Sequence, residues 1–348
     1  MSYIFSSLSM PVSSELIKQY EALQLNRMGI SGRKVTTFCM YGLVILLIVA
    51  ALVTIFFDFF SGRVGDGMFN LIGYLFSIGV VIGIGLLILR YQKYLWVRTI
   101  RISQFAYDNN FSYTASIDSP VLAGMYFDIG HTRNATYVIN GHIQGTPFEL
   151  ANYSYVVGSG KNSHTYTLGY IRIKLERQLP HIVLDAIKNN FKLFGFDSSN
   201  LPISFQKDQA MQLEGNFNDY FRLYAPRGYE RDALYVFTPD LMALFIDIVT
   251  VHDAEIIDDQ LFIYTPVGIQ YEDTAYMQDI FRIIEVIGHK TISRTDRYQD
   301  ERTALLGPNT VGTQGKRLRK STVATFVFSL VLTAFICVYA YFTLDQFR

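Results

Sequence analysis

Three apolar stretches decide how this chain is first read: Thr36 to Phe57, TTFCMYGLVILLIVAALVTIFF; Met68 to Leu89, MFNLIGYLFSIGVVIGIGLLIL; and Thr322 to Phe342, TVATFVFSLVLTAFICVYAYF. None holds a charged residue, and each reaches the roughly 20 residues a helix needs to cross about 30 Å of hydrocarbon. They predict three transmembrane helices. The first begins too far from Met1, and lacks the small-residue cleavage site, for a signal peptide. Basic residues set the expected orientation: Arg27, Arg33 and Lys34 precede the first span, Arg90, Lys93, Arg98 and Arg101 follow the second, and Lys316, Arg317, Arg319 and Lys320 precede the third. By the positive-inside rule the N-terminus and central block are cytoplasmic and the C-terminus is outside, in a multi-pass protein of the cell (inner) membrane.

Composition agrees with that reading. Of 348 residues, 50% are hydrophobic and 17% charged, against about a quarter charged in a soluble domain. The formal net charge of +0 argues against nucleic acid as a partner. Cys39 and Cys337 fall at opposite ends of different spans, too far apart for a disulfide, and neither has a metal-ligand set around it. No ionisable residue lies mid-span, which disfavours ion transport. In the second span Gly73, Ser77, Gly79 and Gly83 offer a small-residue face for helix packing, although glycine is also simply common in membrane helices.

The organisation expected from these boundaries has five parts. Residues 1–35 are an N-terminal cytoplasmic segment, with an amphipathic helix presenting Leu16, Tyr20 and Leu23. Residues 36–90 are a transmembrane hairpin, 91–304 a cytoplasmic α+β domain, 305–321 a flexible basic linker and 322–342 the last membrane helix. Within the domain, helix continues from Tyr91 to a stop at Asn109-Asn110. Thr136–Ile143 and Thr146–Tyr153 flank Gln144-Gly145 as a hairpin. Ile171, Ile173 and Leu175 alternate with charged residues, while Tyr166 and Leu168 have the opposite parity, so Gly169 is expected to mark a bulge. Thr238-Pro239-Asp240 opens a helix with Leu241, Leu244, Phe245 and Ile248 inward. A last helix over about 275–287 buries Met277, Ile280, Phe281 and Ile284. Hairpins and helices without regular alternation indicate a largely antiparallel sheet with packed helices.

The stretch Glu214 to Leu244, EGNFNDYFRLYAPRGYERDALYVFTPDLMAL, resembles the bacterial family catalogued as domain of unknown function 3137. Glu214, Phe217, Asn218, Phe221, Ala233, Thr238, Pro239 and Met242 carry the likeness, and Phe237 stands where the family usually has Leu. Gly141, Gly145, Phe148 and Glu149 match its upstream strand pair, and the helix end ISQFAYDNNFSY also fits. The resemblance implies a bacterial membrane-anchored protein and no particular reaction.

Motif inspection finds no P-loop, nucleophile elbow, HExxH or CxxC. His252-Asp253, with Glu255, Asp258 and Asp259 downstream, is read as a solvated loop. His131, His142, His164, His181 and His289 are read as strand or loop surface. Glu214 and Asn218 are expected to satisfy backbone groups at a turn. Hence no catalytic, cofactor-binding or metal residue is assigned, no cofactor is expected, and enzymatic activity is disfavoured. Lys316, Arg317, Arg319 and Lys320 form a candidate contact for anionic lipid. The function expected is a membrane-tethered interaction or ligand-sensing module. The alternatives are a membrane-associated, hydrolase-like enzyme with a dispersed site, or an accessory subunit of a transport system. The expected partners are the lipid bilayer and a protein partner or second copy through the membrane helices.

Overall fold

The computed structural model describes residues 3–27, 67–193, 196–303, 307 and 309–321, with isolated positions 48, 52 and 56. The chain divides into two compact units, Met1–Asp108 and Asn109–Arg348. The first holds α1 (Ser14–Arg27) and the 42-residue α2 (Gly67–Asp108). Ser13 Oγ accepts the Leu16 N–H at 3.2 Å, capping α1. The helix buries Ile17 and exposes Leu16, so its inward face is rotated from the one expected. The 3-10 turn Ser6–Leu8 joins α2 through Ser7 Oγ, which donates to Asp108, and Phe5 meets Phe105 with ring centroids 5.6 Å apart.

The expectation of three transmembrane helices is corrected here. Among the described residues no helix is long and apolar enough to cross a membrane. The multi-pass inner-membrane placement, with its cytoplasmic and outer sides, is therefore not supported either. The run 68–89 is the first half of α2, which continues without a break, as expected, through Arg90, Lys93, Arg98 and Arg101 to Asp108, so those charges lie within the same helix. Apart from the isolated positions 48, 52 and 56, the runs 36–57 and 322–342 lie outside the described residues. At Gly79 and Gly83 an added Cβ would meet nothing within 4 Å, so neither packs against another described segment. The side chains around Gly73 and Ser77 lie outside the description.

Among the described residues the second unit has nine strands: β1 (Ser112–Asp118), β2 (His131–Ile143), β3 (Thr146–Val157), β4 (His164–Ala186), β5 (Phe191–Leu193), β6 (Phe196–Ser198), β7 (Ala210–Met211), β8 (Phe221–Tyr224) and β9 (Asp253–Thr265). Seven form one antiparallel sheet in the order β1-β2-β3-β4-β8-β7, with β9 on the other edge of β4, and β5-β6 is a separate hairpin. The β2–β3 hairpin closes through Gln144 (φ 49°) and Gly145 (φ 84°), the pair of positive φ angles that a tight hairpin turn requires.

Gly169 is not a bulge. The β3–β4 register runs unbroken from Phe148↔Ile173 to Val157↔His164. Parity changes because both faces are buried: Leu168 and Tyr170 lie on one, Ile171 and Ile173 on the other. Glycine is needed at 169 because a Cβ there would collide with Thr265 Oγ1 and the Ile269 side chain. The real irregularity comes later in β4. Lys174 pairs with Gln260 and Leu179 with Asp258, so β4 gains residues against β9 around Pro180, opposite the positive φ of Asp258.

Helices cover one face: α3 (Glu230–Val236), α4 (Pro239–Ile248) and α5 (Thr274–Arg282), which continues as a π-helical turn, Ile283–Gly288, into α6 (His289–Thr295). Phe111, Phe148 and Phe281 interlock there with centroids 5.2 to 6.0 Å apart. On the opposite face Phe127 is ringed by Tyr153, Tyr170 and Phe262 at 4.8, 5.2 and 5.3 Å. Thr238 occupies the N-cap position of α4, yet its hydroxyl donates to Asp240 rather than accepting a backbone N–H. Leu241 and Phe245 are fully buried, while Leu244 and Ile248 are half-buried. Replacing Phe245 by Ala should therefore cost about 3–5 kcal/mol, clearly more than Leu244→Ala, by denaturant unfolding of the purified chain.

Candidate functional site

Buried polar side chains gather where β4 and β9 run together. Glu255 is fully buried and accepts three hydrogen bonds: from the Met125 N–H at 2.7 Å, from Tyr264 OH at 2.5 Å, and from His181 Nε2 at 2.8 Å. The other ring nitrogen, His181 Nδ1, accepts the Leu318 N–H at 3.0 Å. That contact fixes the imidazole with its proton on Nε2. Both nitrogens are thus committed, and no general base is available here. His181, read from sequence as surface, is instead a core residue. The arrangement is a structural lock.

The segment 309–321, expected to be a flexible linker, is fastened along the β4 irregularity. Asn309 Oδ1 accepts from Gln178 N at 2.8 Å, the Gly315 carbonyl accepts from His181 N at 2.8 Å, and Arg317 grips Asp258 at 2.8 and 3.0 Å. Further on, Ser321 N donates to Ser204 O at 2.7 Å, and Gln209 exchanges two hydrogen bonds of 2.8 Å with the Arg319 backbone. Of the basic patch, Lys316, Arg319 and Lys320 are exposed. Arg317 is also exposed but ion-paired to Asp258, which raises its pKa.

One strand position beyond the lock, the environment changes. The β4–β9 register, Val183↔Glu255 and Leu184↔Ala254, sets Asp185 beside Asp253, and on the other edge Asp185 pairs with Arg222 of β8. Asp253 Oδ1 accepts the Ala186 N–H at 2.9 Å. Burial raises the Asp253 pKa to about 7, against the lowering effects of the Ala186 N–H and the Asn189 and Asn200 side chains. Burial also raises that of Asp185, partly offset by Ser199, Arg222 and Asn190. Tyr126 lies close enough to be pushed upward too, by burial first and then by Asp253. His252 is buried and held down at about 4 by desolvation. His252, Asp253 and Glu255 are thus not solvated: β9 carries Asp253 and Glu255 into the sheet, and His252 is buried directly before it. Asp258 and Asp259 are half-buried and pair with Arg317 and Lys174. Among the described residues no group of three or more His, Cys, Asp or Glu side chains could hold a metal.

At the opposite end the same sheet face is open. A cavity of about 320 Å³ is lined by Asn140, His142, Glu149, Arg172, Lys174 and Gln260, among others. Glu149 accepts from Tyr170 OH and Arg172 Nη2, both at 2.8 Å, and Lys174 pairs with Asp259. The Gln260 side-chain oxygen is inaccessible and receives no hydrogen bond. Cross-strand pairing explains the groove: Asn140, Glu149 and Arg172 stand opposite one another in successive strands. Sequence reading missed it because these residues belong to three separate strands.

The residues that carry the family likeness serve the fold. Phe217, Phe221, Ala233 and Met242 are buried, and Asn218 bonds both the N–H and the carbonyl of Leu213, at 3.0 and 2.5 Å. No family model matches the chain, and no curated protein matches it. Among solved structures it is similar to the crystal structure of the mycobacterial trehalose monomycolate transport factor A, at 13% identity and a TM-score of 0.33, over 54% of this chain and 95% of that one. A likeness of that size supports no argument about fold or function.

Two outcomes follow from this geometry. Glu255→Gln should cost on the order of 3–5 kcal/mol, because a buried partner is removed from a closed network, and should make the 309–321 segment sensitive to limited proteolysis. The second concerns pH. An acid whose folded pKa is raised keeps its proton in the folded state after the unfolded chain has lost it, so stability falls as pH rises from about 4 to about 7. In chelator-containing buffer, Asp253→Asn should melt above wild type by a margin that grows across that window.

Proposed function

We propose that the second unit is an interaction or ligand-sensing module that receives a polar ligand or a partner segment in the open groove. The observation that carries this reading is the groove itself: concave, about 320 Å³, and lined by paired charges with one buried acceptor, Gln260 Oε1, left to be satisfied. A volume of a few hundred Å³ with a few convergent polar groups is the usual format of a recognition site. Its charged groups are already neutralised in cross-strand pairs, and no nucleophile–base pair stands among them, so the groove fits binding better than turnover. The proposal includes membership of the family the sequence resembles, which brings no reaction with it.

A photo-crosslinking residue placed at exposed His142 should capture a ligand or partner in cells, and Arg172→Ala or Gln260→Leu should abolish capture. The same probe at Tyr166, exposed on another part of the sheet, should capture nothing specific. Capture that is equal at both positions, or indifferent to Arg172 and Gln260, would sink the reading.

A further inference from the structure

Three loops meet at the Asp185 end of the sheet: 187–190 after β4, 199–201 after β6, and 249–252 before β9. They are stitched together by Asn200 N–H donating to Asn190 Oδ1 at 2.9 Å and by Asn189 Nδ2 donating to the Val251 carbonyl at 3.3 Å. Inside this ring Asp185 is fully buried; neither carboxylate oxygen has a donor in good hydrogen-bond geometry, and Ser199, Asn190 and Arg222 only partly offset the burial of its charge. The side-chain oxygens of Asn189 and Asn200 are likewise shut from solvent and have no donor. Asp253 completes the set from the neighbouring strand.

Charge is out of balance here. Two carboxylates face each other in a desolvated place, and the cation beside them is Arg222, 3.6 Å from Asp185 Oδ2 with a side chain 42% exposed. Uncompensated buried carboxylates cost several kcal/mol each, roughly, so the site calls for further positive charge. The atoms on offer are all hard oxygens, carboxylate and amide, without sulfur. Such a set suits calcium rather than a transition metal. Carboxylates mixed with amide oxygens on loops also suit calcium better than magnesium, which holds several of its waters. Only two acids are involved, and the amides complete the ligand set. An Asn side chain can serve both states, since its nitrogen donates to a bare carboxylate and half a turn of the amide presents its oxygen to a cation.

We propose that Asp185, Asp253, Asn189 and Asn200 form a binding site for a hard divalent cation of the calcium class. It lies at the opposite end of the sheet from the groove, and each proposal stands or falls by its own test. The full chain, stripped with chelator, is titrated with calcium or magnesium while its melting is followed. In parallel, terbium is added and its emission read under tyrosine excitation, with Tyr126 as the nearby sensitiser. Calcium should raise the melting temperature saturably by several degrees, magnesium less. Asp185→Asn should remove both the shift and the terbium signal. Asn200→Ala, on a partly exposed loop that should tolerate it, should weaken calcium binding at least tenfold, while Asp247→Asn on exposed α4 surface should change nothing. No calcium shift at millimolar concentration overturns the proposal. So does a shift that survives in Asn200→Ala, or one that Asp247→Asn removes.

Discussion

The carboxylate of Glu255 holds together segments that the sheet alone would not join. It takes hydrogen bonds from the loop before β2 through Met125, from its own strand through Tyr264, and from β4 through His181, which passes the constraint to Leu318. A buried ion pair or charged network adds little net stability over a well-packed apolar alternative, but losing one member is costly. Its contribution is therefore to specify one arrangement. With His181 oriented from both sides, the 309–321 segment has a single register on β4.

How β4 is used explains the shape of the unit. Along one edge it pairs with β9, while β3 takes the first part of its other edge and β8 the last four residues. Between those partners β4 carries extra residues against β9, from Lys174 to Ile182, and the backbone N–H groups of Gln178 and His181 bond to the 309–321 segment instead of to another strand. This irregular stretch separates two environments on one face. Before it the face is an open groove with charges paired across strands; after it lie closed loops and desolvated acids.

Several features were legible in the sequence. The hairpin at Gln144-Gly145 follows from turn chemistry, and the inward positions Met277, Ile280, Phe281 and Ile284 follow from helical spacing; all four are buried. The end of the helix that follows the run 68–89 was legible too, since the Asn109-Asn110 stop falls directly after Asp108; what hydropathy overstated was the membrane, because no described helix is long and apolar enough to cross one. Gly169 was misread because alternation assumes one wet face, and β4 has two dry ones. The polar sites were invisible for a different reason. His181 and Glu255 are 74 residues apart, and Asp185 meets Asp253 only through strand pairing. Single-sequence spacing carries no trace of such pairs, and a buried histidine looks the same as an exposed one.

The hydrogen bond from Leu318 to His181 spans 137 residues of chain, and that span bears on how the protein is made. During synthesis β4 leaves the ribosome long before the residues that complete its irregular edge. Until Leu318 follows, the His181 ring nitrogen has no donor and the backbone around Pro180 has no cover. Contacts this distant in sequence close slowly, and exposed strand edges invite mispairing while they wait. A nascent chain halted before Leu318 would thus present an unfinished sheet edge, the kind of surface that chaperones hold and proteases cut.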